Sequence, residues 1–298
     1  MLKWLYRISL GVCVIILMFR LADWACRRGP ALPPPPKPNG YEQIVIAARD
    51  IKPLPHDFEN LSSTQIQQFA RQNFPSIEKM RAAFPLDSSV TVEVKKDWQD
   101  RHEEDLSNLK RLAVALGLEA KIQLINGQTN NAARCEVDSI CLAQRVNKGG
   151  ILLDGITGLG MEIISSASLQ SLLSQMDASA CRDAASRLEE IQSKREKPET
   201  IIATQKAWSA RRFGLIDYIG SILTRKSDAK RYAQFIERSH ESAGRTQRVM
   251  LRLAARAYEL DHHKPPANIS DLIPVYLKSV PINPENGKEV PAIPPPLN

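Results

Sequence analysis

A chain of 298 residues that is 43% apolar and 24% charged has the composition of a folded protein, which excludes a wholly disordered chain. Its net charge of +7 does not mark a nucleic-acid binder: residues 1–39 hold six Lys/Arg and one acid, and the rest of the chain carries only +2. The excess flanks an apolar segment, where it acts on membrane topology. A nucleic-acid footprint would lie on the folded domain, so no nucleic-acid partner is expected.

The first element in chain order is apolar. Ile8 to Phe19 carries no charge, and with its flanks a helix from Trp4 to Trp24 covers about 30 Å, the hydrocarbon thickness of a bilayer. An indole would sit at each interface, with Arg7 and Arg20 near enough to the ends to reach the headgroups. A cleaved signal peptide is the competing reading. Bulky and charged residues in Arg20-Leu-Ala-Asp-Trp-Ala-Cys26 stand where small ones are needed for cleavage, which favours an uncleaved anchor contacting the bilayer through residues 4–25. The counts of positive charge on the two sides are nearly tied. A short tail before a first hydrophobic segment ordinarily stays in the cytoplasm, so the C-terminal domain is expected outside a bacterial inner membrane.

Residues 29–39, with four consecutive prolines, read as a semi-rigid polyproline II stalk that holds the domain away from the bilayer. Between positions 60 and 240 only Pro75, Pro85 and Pro198 occur, which suits helices. Ser62/Ser63 can cap a helix towards Phe84, with Ile66, Phe69 and Ala70 on one face and a break or kink at Pro75. Val90–Val94 could form a short strand. A long helix is predicted from about Asp97, with Leu106, Leu109, Leu112 and Ala113 on one side and a stop at Asn126-Gly127. Ala132 to Val146 is the returning helix. Asp177 caps a helix in which Ala180, Cys181, Ala184, Leu188 and Ile191 share a face. Further helices are predicted over Glu199–Leu223, Asp228–Ser239 and Arg245–Asp261. Asn268 can cap a short one over Ile269–Leu277.

No stretch forms a catalytic, cofactor or metal signature, so no site residue is assigned to any of the three. Leu118 to Gly127 followed by Ala132-Ala133 is similar to one tetratricopeptide-like hairpin. It has no tandem copy, and an ordinary helical hairpin suffices. Gly149–Gly160 is glycine-rich but lacks the Gly-Lys-Ser/Thr ending and the GxGxxG spacing, which makes it a helix whose glycines allow close packing. His56, His102, His240, His262 and His263 form no HExxH. Cys135, Cys141 and Cys181 could include one disulfide outside the cytoplasm, or all three could be free and buried. Cys135 and Cys141 on one helix are about 9 Å apart along the axis, too far to bridge.

Two regions carry a resemblance. Leu253-Ala-Ala-Arg-Ala-Tyr-Glu-Leu-Asp-His-His-Lys-Pro265, Ile269–Leu277 and Val280-Pro-Ile-Asn-Pro-Glu-Asn-Gly287 resemble a segment found in type II secretion pseudopilins and in a group of single-anchor bacterial envelope proteins. Asn283 stands where Asp is usual. The pseudopilin processing site is missing at the N-terminus, so the layout of anchor, stalk ending in Pro38-Asn-Gly-Tyr41 and helices is closer to the envelope group. The resemblance implies no activity and carries no catalytic residues. The expected organisation is an anchor (1–28), a linker (29–39), an all-α multi-helix domain (40–265) and a Pro-rich C-terminal strap (266–298). The expected role is a non-catalytic envelope component with a protein partner. The alternatives are an envelope hydrolase using acidic residues with His102 or His262/His263, or a subunit of a secretion-like assembly.

Overall fold

The computed structural model describes residues 2–53, 61–284, 286–290 and 292–293, with backbone alone for residues 2–10. The side chains of Trp4 and Arg7, His56 and the last residues of the expected strap therefore lie outside the described residues. Within them the protein is all-α, with nine helices and no strand: α1 (Leu2–Cys26), α2 (Gly40–Arg49), α3 (Ser63–Ala83), α4 (Trp98–Ile125), α5 (Thr129–Asn147), α6 (Leu152–Leu172), α7 (Ala178–Ser193), α8 (Pro198–Phe213) and α9 (Leu215–His262).

Helix starts follow local chemistry. Ser62 and Gln65 form a reciprocal capping box at α3, and Asp177 accepts from Ala180 N at 2.8 Å at α7. Asn39 accepts from Tyr41 N and from Ser89 N, both at 3.1 Å, so it starts α2 and ties it to the segment after α3. A Cβ on Gly40 would stand 3.0 Å from the Ala83 carbonyl, which explains a glycine at that close approach.

Two cores are stacked along α5. Ile44, Ile77, Met80, Leu109, Leu112 and Leu116 from α2, α3 and α4 meet Leu142 and Val146 from the end of α5. Ala132, Cys135 and Ile140 from its first turns meet Leu169, Leu188, Val249, Leu253 and the C-terminal residues Leu272 and Tyr276. The most extensive packing is that of α5 on α6, with α7 on α9 next. From Leu152 on, the glycine-rich segment forms the first half of α6, while Gly149 and Gly150 precede it in the turn after α5. A Cβ on Gly155 would meet the Phe235 ring at 2.6 Å.

Several expectations are corrected. Residues 90–94 pair with no strand. Val90 N donates to Lys148 O at 2.8 Å, and the carbonyls of Thr91 and Glu93 accept from the indoles of Trp98 and Trp208. Side chains from neighbouring helices thus satisfy a backbone that would otherwise need a ladder. Helix α3 runs through Pro75, which lies on the exposed face, where water can satisfy the Arg71 carbonyl deprived of its donor. The helix expected over Glu199–Leu223 ends at Gly214, whose φ of +58° turns the chain. The next two predicted helices fuse into α9, 48 residues and about 72 Å long. Gly244 is tolerated inside it, at a cost of roughly 1 kcal/mol. Only Ile269–Leu272 of the last predicted helix is helical, as one 3-10 turn with the expected Asn268 cap.

The proline segment is no free spacer. Leu32 packs against the cluster of Trp98, Ile151 and Trp208, and the end of α1 is bonded to the domain. The contact is made by Leu32, while Pro33 and Pro34 beside it stay exposed. All five cysteines are free.

Candidate functional site

Of the sequence candidates, His102 is the most enclosed. It stacks on Trp98 with ring centroids 4.4 Å apart, and its Nε2 lies 2.8 Å from Asp154 Oδ1. Asp154 Oδ2 accepts from Ile151 N at 2.7 Å, which starts α6. Both side chains are buried, so the pair joins α4 to the start of α6 and offers no open face to a substrate. His262 and His263 are brought nowhere near it. His262 leans on Tyr258 and Tyr276, and His263 closes α9 in the left-handed conformation. Among the described residues no group of three metal-ligating side chains is assembled.

The structure gathers two polar clusters that the sequence did not single out. In the first, Glu162 on α6 is wholly buried and is bonded by Arg195, by Thr246 Oγ1 at 2.6 Å and by Gln144 Nε2 at 2.9 Å. In the second, Arg81 reaches Asp138 at 2.7 Å, Glu119 at 3.2 Å and Glu78 at 2.8 Å, while Arg187 binds the other Asp138 oxygen at 2.5 Å. These residues come from α3, α4, α5 and α7, which is why no spacing in the sequence reveals them. Arg81, Asp138 and Arg187 of this cluster line an open cleft of about 820 Å³ between α5 and α7, whose walls include Asn130, Arg134, Asp183 and Ser186. Asp138 in that lining is held by two guanidinium groups, those of Arg81 and Arg187. Burial pushes the Cys135 thiol beside Arg81 up to about 12, and Cys181 likewise, so neither supplies a thiolate at neutral pH.

Glu136 on α5 is buried, and burial, only partly offset by a hydrogen bond from Ser165, pushes its carboxyl up to about 7. Its folded value lies above its unfolded one, so the native state holds a proton that the unfolded chain has released. The associated stability is therefore full in acid and is lost as the pH rises through about 7. Glu136→Gln should flatten this dependence and gain on the order of 3 kcal/mol above it. Melting curves of both proteins across that range would check this, and parallel pH profiles would refute it.

The remaining feature lies at the N-terminus. From Gly11 to Arg20 every residue of α1 is exposed, including Val14, Ile15, Ile16, Leu17 and Phe19. The helix therefore leaves the domain with its apolar side chains uncovered all round. Its last turns are clasped to the junction of α8 and α9. Asp23 Oδ1 accepts from Leu215 N at 3.0 Å, at the first turn of α9. Arg27 Nη1 donates to the carbonyls of Arg211 and Arg212 at 3.2 and 2.9 Å, at the last turn of α8. Asp23 and Arg27 are themselves paired at 2.8 Å. Acid meets a helix start and cation meets a helix end, as the dipoles of both helices favour. Among the described residues no helix is long and apolar enough to cross a membrane, and the described side chains of α1 begin only at Gly11. Comparison with known protein families, with curated proteins and with solved structures found no match to this chain.

Proposed function

We propose that the protein is a single-pass component of a bacterial envelope membrane, anchored by α1, whose helical domain holds another protein in the cleft between α5 and α7. The observation that carries the reading is α1 itself. A helix with apolar side chains exposed on every side is stable in hydrocarbon and unfavourable in water, where each buried methylene would be worth about 0.8 kcal/mol. The clasp at Asp23 and Arg27 fixes the domain at the end of that helix, which suits a protein that presents a rigid surface close to the bilayer. In this reading the domain faces outward, and the resemblance to single-anchor envelope proteins agrees with it.

Two measurements on membranes containing the full chain test the two halves. Alkaline washing should leave the protein in the membrane pellet, and release into the supernatant would end the anchor reading. A photo-crosslinking residue at exposed Ser186, on the cleft rim, should give a discrete adduct that the same residue at exposed Glu104, on α4, does not. Identical patterns from the two positions would rule out the cleft as the docking surface.

A further inference from the structure

The first turns of α9 are arranged inside out. At 100° per residue, Leu215, Ile216, Tyr218, Ile219, Ile222 and Leu223 fall within an arc of about 160°. Asp217, Ser221, Thr224 and Asp228 occupy the opposite side. In a helix of a water-soluble bundle the first set would pack inward and the second would face solvent. Here the polar side turns to α8: Asp217 accepts from Ser209 Oγ at 2.5 Å, and Asp217, Ser221, Thr224 and Asp228 line the open space between the two helices, with Ile216 and Ile222 at its edges. The apolar side faces out, with Ile216 76% and Leu223 81% exposed. Helix propensity and the contacts with α8 and the end of α1 hold this stretch in place, and they leave Ile216, Tyr218, Ile222 and Leu223 more than half exposed.

Position and charge identify what covers this face. The clasp sets Leu215 beside Asp23, so the stripe begins level with the last apolar turns of α1, Leu21 and Trp24. Further along the same face come Lys226 and Lys230, at four-residue steps from Ile222. Residues 211–231 hold six Lys/Arg and only two acids, whereas the domain as a whole is nearly neutral. Apolar residues next to an anchor, giving way to lysines on the same face, match the passage from acyl chains to anionic headgroups. A second copy of the chain is a poorer occupant. Two copies anchored in one membrane would run parallel and bring Lys226 and Lys230 against their counterparts.

We propose that the face of α9 from Leu215 to Leu223 lies in the interface of the membrane that holds α1, with Lys226 and Lys230 on its anionic headgroups. The tip of the α8–α9 hairpin is then a second lipid contact, and the long α9 becomes the strut that fixes the domain's tilt on the bilayer. This rests on the anchor reading, so the test must separate the two.

The full chain, with Cys13, Cys26 and Cys141 replaced by serine, would be reconstituted into vesicles of phosphatidylcholine and phosphatidylglycerol. An environment-sensitive nitrobenzoxadiazole label would be attached through Ile219→Cys, Leu223→Cys, Ser221→Cys or Leu17→Cys in turn. We expect the labels at 219 and 223 to be quenched about threefold more by nitroxide-bearing lipid than the label at 221, which aqueous iodide should quench instead. Lipid quenching at 17 with iodide quenching at 219 and 223 would overturn this proposal and leave the anchor standing. Iodide quenching at 17 as well would remove both. Labels at 219 and 223 protected from both quenchers would mean that protein covers the face, which also overturns it.

Discussion

Arg195→Ala is expected to cost the domain about 3–5 kcal/mol, because it strands the charge of Glu162 in the interior. Glu162 has no solvent exposure, and among the described residues Arg195 is its only cationic partner, bonding both carboxylate oxygens from the loop between α7 and α8. The other two donors, Thr246 on α9 and Gln144 on α5, are neutral and cannot offset the desolvation of a full charge. Thermal unfolding of the full chain in detergent should show a fall in Tm of about 10 °C. Adding Glu162→Gln to Arg195→Ala should recover part of it, because the amide buries no charge. A single variant that melts with the parent would show that water reaches Glu162 and that the pair does not hold the four segments together.

Gly158→Ala is expected to cost about 3 kcal/mol, near the upper end for an overpacked core. It lies on α6 where that helix crosses α5. A Cβ there would collide with the Asn147 side-chain oxygen and stand 2.6 Å from the Ala143 carbonyl. A side chain can rotate away, but the backbone of a buried helix cannot retreat without opening the most extensive interface in the protein. Gly160, two residues on, has nothing within 4 Å of the same position, so Gly160→Ala should be neutral or slightly stabilising. Melting temperatures of the two variants provide an internally controlled comparison. Equal behaviour would mean that α5 and α6 pack less closely than the structure has them.

These two sites also show where the sequence stops being legible. The glycine-rich segment Gly149–Gly160 reads correctly as a packing helix because it fails the spacing rules of phosphate loops, and that failure is local. Which of its glycines matters is not local. Gly155 and Gly158 are crowded by Phe235 and by α5, whereas Gly160 faces open space, and only the crossing of helices distinguishes them. Glu162 and Arg195 are separated by a helix and a loop, and Thr246 lies a further helix away, so no periodicity or motif could pair them. Arg81, Glu119, Asp138 and Arg187 were equally invisible, each being an ordinary charge on an amphipathic helix until four helices converge.

The sequence by itself determined the helical class, most helix starts and the core faces, because these follow from nearest-neighbour chemistry. Ser62, Asp177 and Asn268 cap where their side chains can reach a backbone N–H three residues on. Leu106, Leu109 and Leu112 are buried because period 3.6 puts them on one side. Tertiary structure alone decided where chain continuity overrides local signals. Pro75 is carried through α3 because its exposed face lets water satisfy the orphaned carbonyl, and Gly214 rather than the residues near 224 ends α8 because the hairpin must turn there. Only the fold shows that Leu32 of the proline segment lies against the tryptophans, and that Asp23 and Arg27 fasten α1 to the tip of the α8–α9 hairpin. The apolar residues after Gly214 look, in sequence, like one more core face. They face outward because α8 already occupies the other side of the helix, and a helix has only one side left to give.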